Sequence, residues 1–251
     1  MEQNAQVALY FDQISADYRL RYAAQNPFHN FFFRQRLKAA IDGFLFEGKS
    51  VLDIGAGTGA LYDELVRQFL DVDYFGCDIL AQMLAQSDIP AGRAFVGRAH
   101  EIVLPRERLD FIFLLGVTTY QDPAELAKTW RFIGDRLAPK GTAIISFTNR
   151  GSVDHLLRSI MKLAKPLVRR GVFGQSFATH AYNSNEVERM AQVAGLRVTR
   201  SVYLNQTFSP FNTILPKPSI ALARLIERYV PITAMPALSA DFLVFAEREP
   251  I

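Results

Sequence analysis

Residues Val51–Gly59 read VLDIGAGTG. The short run VLDI (51–54) is bounded by Gly48 upstream and by Gly55, Gly57 and Gly59 downstream. A brief apolar run flanked by glycines reads as a strand. Ala60–Leu70 then carries helical spacing, so the glycines form the turn between a strand and a helix. Glycine there lets the backbone come close to a ligand. The following helix aims its free N–H groups and the positive end of its dipole at polar or anionic parts of that ligand. The next strand, Tyr74–Cys77, ends in Asp78. In nucleotide-binding sheets a carboxylate at that place accepts hydrogen bonds from ribose hydroxyls.

Outward from this turn, strands and helices alternate. Leu80–Gln86 reads as a short helix, Ala94–Val96 as a strand, and Leu109–Leu115 as a fully apolar strand of the kind buried in a parallel sheet. Asp122-Pro123 opens a helix running to Leu137, Pro139-Lys140-Gly141 reads as a turn, and Thr142–Phe147 as a strand. The alternation predicts an α/β fold with a doubly wound, mostly parallel seven-stranded sheet. Two helices, 5–24 and Phe31–Phe44, precede it.

After Thr148 the rhythm changes. A helix at Asn183–Ala194 and strands at Leu196–Phe208 and Asp241–Glu247 complete the sheet. Two long connections remain, 150–182 and the proline-rich 209–237 with a helix near Ile220–Tyr229. Insertions of that length serve as lids or binding loops, so both are expected to form a substrate-covering cap. The expected plan is an N-terminal helical cap segment (1–48), a nucleotide-binding core (49–149), a cap insertion (150–182), and the C-terminal part of the sheet (183–251) carrying the second insertion.

Composition removes several function classes. The 251 residues carry a net charge of +3 and are about half apolar, a soluble globular profile. That charge is too mild to argue for nucleic acid, and no nucleic-acid partner is expected. The lone Cys77 excludes a disulfide framework or a cysteine zinc site and suits a reducing cytoplasm. The start MEQNAQVALYFDQ lacks the basic and apolar blocks of a signal peptide. The longest apolar run, Phe111–Val117, is too short to span a bilayer. His29, His100, His155 and His180 show no metal spacing, so no metal is expected. GFLFEGKS (43–50) fits the P-loop spacing, but it follows a helix and precedes a strand, the reverse of what a phosphate cradle requires. HLLRSIMKLAKPLVRR (155–170) has an apolar and a basic face. It reads either as a cap helix with a solvated basic side or as a peripheral membrane contact.

Taken alone, the glycines leave two nucleotide readings open, because Gly55-x-Gly57-x-x-Ala60 also fits dinucleotide enzymes. The chain as a whole resembles the class I, Rossmann-like S-adenosylmethionine (SAM)-dependent methyltransferases. VLDIGAGTG is similar to their first motif. FVGRAHEIVLP (95–105), LDFIFLLGVTTY (109–120), LAPKGTAIISFTN (137–149) and YNSNEVERMAQVAGLRV (182–198) continue the likeness in order. YFDQISADYRLRY (10–22) resembles the N-terminal helix that such enzymes fold over the cofactor, which makes Tyr10 and Tyr18 candidate contacts. The Tyr-x-x-x-Lys pair of short-chain dehydrogenases is absent.

This resemblance implies SAM as the cofactor, with Asp78 on its ribose diol, Gly55 and Gly57 beneath its methionine part, and Asp53 near its ammonium. It places Ala99 beside the adenine and Leu115-Gly116 at the transfer site. Ala56, Gly59 and Ile79 complete the expected contacts. Many relatives carry Asp where this chain has Arg98, leaving His100 or backbone to meet the adenine amine. Simpler roles stay open: Asp53 satisfying loop amides, Asp78 capping a helix, Ala99 merely packing.

For the acceptor, the Asn-Pro-Pro-aromatic tetrad used on exocyclic and amide nitrogens is missing, and Gly116-Val-Thr-Thr-Tyr120 stands in its place. Phe28, Phe31–Phe33, Phe173, Phe177, Phe208 and Phe211 suit a small organic or lipid-like acceptor. Oxygen is favoured over nitrogen. The alternatives are methylation of protein or RNA, which would need a basic groove, and SAM binding without turnover. Methyl transfer depends mainly on proximity and orientation. A base is needed only when the acceptor must lose a proton. His180 is the first candidate, before His29, Tyr22 and Tyr120, because it ends the cap just ahead of the helix at Asn183. Its other reading is a surface loop histidine.

Overall fold

Runs such as Phe111–Leu114 and Ala143–Ile145 are buried residue after residue. Since neighbouring side chains on a strand point to opposite faces, such strands need cover on both sides. The computed structural model supplies that cover. It describes residues 2–249 except 16–17, 19–21, 23–24, 165–177 and 232–233. Seven strands, β1 (Lys49–Ile54), β2 (Val72–Asp78), β3 (Ala94–Val96), β4 (Leu109–Leu114), β5 (Leu137–Thr148), β6 (Leu196–Leu204) and β7 (Asp241–Arg248), form one sheet in the order β3-β2-β1-β4-β5-β7-β6. β1 to β5 run parallel, and β7 is antiparallel to both β5 and β6. One core packs Leu52, Phe75, Trp130, Val187 and Phe242, and the other packs Val51, Phe46, Leu65, Phe113 and Phe245. This is the expected doubly wound α/β architecture.

The helices are α1 (Glu2–Ile14), α2 (Pro27–Ile41), α3 (Ala60–Gln68), α4 (Ala81–Leu84), α5 (Pro123–Arg136), α6 (Val153–Ala164), α7 (Ser184–Val193), α8 (Phe211–Ile214) and α9 (Pro216–Tyr229). Their starts follow from local chemistry. The Asp122 side chain accepts the Glu125 N–H at 2.8 Å and caps α5, with Pro123 in its first turn. Asn183 and Glu186 form a reciprocal capping box on α7.

Three elements depart from the sequence reading. The second helix runs Pro27–Ile41 rather than Phe31–Phe44; the first is described over Glu2–Ile14, and residues 16–17, 19–21 and 23–24 of its expected range lie outside the described residues. Pro139-Lys140-Gly141 lies within β5 instead of forming a turn, because a shift in register between Leu109 and Phe111 absorbs the irregularity. Gly141 permits this, since a Cβ there would stand 2.8 Å from the Asp110 carbonyl oxygen. β6 ends at Leu204, short of Phe208, because Asn205 turns left-handed at φ 62° and its N–H is taken by the Gln35 side chain at 2.8 Å.

The two insertions meet. Asp154 at the start of α6 accepts the Ser209 N–H at 2.7 Å, and Val153 N–H donates to the Ala237 carbonyl at 2.9 Å. α9 buries Ile220 and Ala223 and packs on α2. Leu156 and Ile160 of α6 are exposed. Residues 165–170 of the amphipathic stretch, and Phe173 and Phe177, lie outside the described residues. Among the described residues no helix is long and apolar enough to cross a membrane, and no group of His, Cys, Asp or Glu is arranged to hold a metal ion.

Candidate active site

The turn after β1 is fastened to the end of β2. Gly55 and Ala56 donate their N–H groups to the Cys77 carbonyl at 2.8 and 3.0 Å. Gly57 donates to Asp78 Oδ2 at 3.0 Å, and Leu80 donates to Asp78 Oδ1 at 2.9 Å. Gly55 has φ +77°, and a Cβ there would run into the Val117 side chain. Gly59, at φ +81°, caps α3, and a Cβ would lie 2.8 Å from Ser87 Cβ. The turn therefore requires glycine for both conformation and space.

A cavity opens above this turn at the carboxyl ends of the strands. Gly55, Gly57, Asp78, Ile79, Arg98, Ala99, Leu115, Gly116 and Tyr18 of the expected set all line it. Burial raises the Asp78 carboxyl above the usual range, while the amides of Leu80, Gly57 and Ile79 oppose that shift. Each carboxylate oxygen takes one backbone amide and keeps a lone pair for a further donor. That arrangement suits two adjacent hydroxyls.

Other expected residues do not reach the cavity wall. Asp53 is only 5% exposed, and its Oδ2 accepts the Tyr74 hydroxyl at 2.7 Å. Burial lifts its carboxyl to about 7. Ala56 and Gly59 lie buried beneath the turn. Tyr10 is replaced on the wall by Val7 and Phe11, four residues apart on one face of α1. His180 is also absent from the wall. Its backbone is latched to Thr119, donating N–H to the Thr119 carbonyl at 2.8 Å and accepting the Thr119 hydroxyl at 2.9 Å. It thereby steadies the segment leading into Tyr120, which does line the cavity.

Phe11, Tyr120 and Glu125 are among the wall residues that escaped the sequence reading of the cofactor site. Phe11 and Tyr120 meet edge to face, 5.0 Å between ring centres. The apolar pair Val7 and Phe11 was the available signal for the first. Glu125 is only 8% exposed and sits in the first turn of α5. Its Oε1 lies 3.3 Å from Arg98 Nε and 3.6 Å from His100 Nδ1. The ion pair with Arg98 is close without the alignment of a hydrogen bond. A carboxylate thus returns, from another element, to the end of the cavity where Arg98 replaces the acid of many relatives.

A second hollow, of about 370 Å³, lies between α5 and α7, lined by Trp130, Tyr182 and Met190 among others. It includes none of the glycine turn. The cavity over β1 and β2 is the one whose residues fit SAM: a close backbone turn, a carboxylate for the ribose and apolar walls around both.

A family model described as a methyltransferase domain matches residues 22–201. No protein of curated function matches the sequence. Among solved structures, magnesium protoporphyrin IX methyltransferase from Synechocystis PCC 6803, with bound S-adenosylhomocysteine (SAH), is similar with a TM-score of 0.67 and 14% identity, over 98% of this chain and 100% of that one. A SAM-dependent methyltransferase from Thermotoga maritima, described as a possible histamine N-methyltransferase, has a TM-score of 0.62 and 15% identity, over 96% and 99% of the two chains. A putative methyltransferase of Haloferax volcanii, solved with the Trm112 activator, has 0.62 and 18%, over 96% and 98%. At such identities these likenesses establish the fold, while the family match spans well over half of the sequence. The chain belongs to the class I SAM-dependent methyltransferases and is an enzyme that takes its methyl group from SAM.

Proposed function

We propose that the enzyme methylates an oxygen of a small organic or lipophilic metabolite. The observation that carries this reading is the aromatic wall at the Gly116 end of the cavity. Phe11 packs against Tyr120 and, at 6.1 Å, against Tyr18, and all three line the cavity. Apolar, aromatic walls with few polar groups suit a small acceptor. Two solved neighbours, the magnesium protoporphyrin IX methyltransferase and the possible histamine N-methyltransferase, also suggest small acceptors.

In this reading Asp78 takes the ribose hydroxyls, and Gly55 and Gly57 pass under the methionine part. Ala99, Arg98 and Glu125 surround the adenine. Leu115 and Gly116 border the point of transfer. Bound SAM would supply a methyl group already activated as a sulfonium. The protein's share is then to align the acceptor and exclude water, with Phe11, Tyr18 and Tyr120 closing the space. Turnover of labelled SAM in a metabolite extract tests this. Label should appear in small, organic-soluble products. Label confined to protein or RNA overturns the proposal.

A further inference from the structure

The two insertions, 150–182 and 209–237, carry nine lysines and arginines against two acids, Asp154 and Glu227. Their seven net positive charges exceed the +3 of the whole chain, which leaves the rest of the molecule net negative. Both acids are turned inward. Asp154 is only 3% exposed, and its two oxygens take the Ser209 N–H at 2.7 Å and Arg158 Nε at 2.6 Å. Glu227 is partly buried beside α2, where it accepts the side-chain amide of Gln35. Lys217, Arg224 and Arg228 of α9 are exposed.

The same helices leave apolar side chains in solvent. Val153, Leu156 and Ile160 follow one another at steps of three and four residues along α6, and Leu222, Leu225 and Tyr229 do so along α9. That spacing puts each set on one face of its helix. A surface helix ordinarily turns such a stripe to the core. On α9 the stripe lies instead on the side opposite Ile220 and Ala223, the residues that the helix buries. Between the two helices in the chain, Phe211 and Ile214 of α8 are also exposed. The bonds from Ser209 to Asp154 and from Val153 to Ala237 tie the start of α6 to both ends of the second insertion. Single exposed apolar residues need no explanation, whereas grouped ones rimmed by charge mark an interaction surface.

Charge selects what covers this surface. A second copy of the chain would bring like charges together. An anionic bilayer meets both halves of the pattern. Leucine, isoleucine and tyrosine side chains enter the boundary between headgroups and acyl chains, and lysine and arginine reach the phosphates. The surface also stands at the edge of the sheet that carries the cofactor cavity. One insertion follows Thr148 of β5, the other joins Leu204 of β6 to Asp241 of β7, and Asp241 pairs with both Thr148 and Leu204. Gly116 of the cavity wall donates its N–H to the Ser146 hydroxyl of the same β5 at 2.7 Å.

We propose that the exposed faces of α6, α8 and α9 dock the enzyme on an anionic lipid bilayer. Leu156, Ile160, Leu222, Leu225 and Tyr229 enter the lipid, while Lys217, Arg224 and Arg228 meet its phosphates. The cavity edge then works beside the membrane. The docking holds whichever acceptor the cavity takes.

Sedimentation of the full chain with phosphatidylcholine vesicles, with and without phosphatidylglycerol, tests this. The protein should bind the mixed vesicles at least about tenfold better than phosphatidylcholine alone, and added salt should weaken that binding. Leu222→Gln with Leu225→Gln, and separately Lys217→Gln with Arg228→Gln, should each lower affinity for the mixed vesicles at least about tenfold. These side chains face solvent, so calorimetry should give wild-type affinity for SAH in both variants and show them folded. Failure of the wild type to sediment with either vesicle overturns the proposal, and so does equal binding to both. Undiminished vesicle binding by the folded variants overturns the assignment to this face. A wild-type dimer that the leucine substitutions make monomeric assigns the face to a second copy and overturns the lipid reading.

Discussion

The Gly57 amide and the Asp78 carboxylate meet at 3.0 Å, so the turn after β1 and the end of β2 are joined through one side chain that also faces the cavity. Asp78→Ala should therefore act twice, removing the acceptor for the ribose and loosening the turn. Hydrogen bonds to charged groups contribute about 1.5–3 kcal/mol. Calorimetry should accordingly show SAM binding weakened at least about tenfold. Unchanged affinity would refute the ribose role.

Gly55→Ala should lower both stability and SAM affinity. Alanine at φ +77° pays a left-handed penalty of about 1–2 kcal/mol, and its Cβ collides with Val117. Adding Val117→Ala should recover part of the lost melting temperature by clearing that space. No recovery would show that backbone strain alone sets the cost.

Stability should fall with rising pH through Asp53. Burial raises its carboxyl from 3.8 to about 7, so between those values the folded protein holds a proton that the unfolded chain has released. That sign means stability is lost on going from about pH 4 to pH 7, by at most about 1.4 kcal/mol per pH unit, and is then constant. Asp53→Asn keeps an acceptor for Tyr74 without a proton to lose. Denaturant titrations of both proteins across this range should show the wild type losing ground to the variant as pH rises. A difference of the opposite sign would mean the carboxyl is not raised.

Glu125→Gln should reduce the preference for an adenine ligand. Wild-type protein should bind SAH more tightly than its inosine counterpart, which lacks the amine, and the variant should narrow that gap. Equal discrimination by both proteins would leave adenine recognition to the backbone around Ala99.

His180→Ala should leave turnover without the loss of about 100- to 10,000-fold that accompanies removal of a general base. A loss of that size would return the base role to it.

The nucleotide half of the molecule was legible in sequence because its demands are local. A glycine turn, a strand-end carboxylate and a Pro after an Asp cap each leave a signature within a few residues. Asp53 shows where this stops: its spacing from Gly55 is visible, but its partner Tyr74 comes from the neighbouring strand. Glu125 was hidden for the same reason, since it reaches Arg98 from a helix 27 residues further on only after folding. The Pro139–Gly141 turn was misread because a register shift carries those residues within a strand.

The insertion of β7 between β5 and β6 also bears on how the molecule is made. β6 has β7 as its sole neighbour in the sheet, yet β7 is synthesised 36 residues after β6 ends at Leu204. While the ribosome delivers that stretch, β6 waits with both edges unpaired, a state open to mispairing with other chains. Arg197 and Arg200 along β6 place positive charge on that waiting strand. Charge along a strand edge disfavours such pairing.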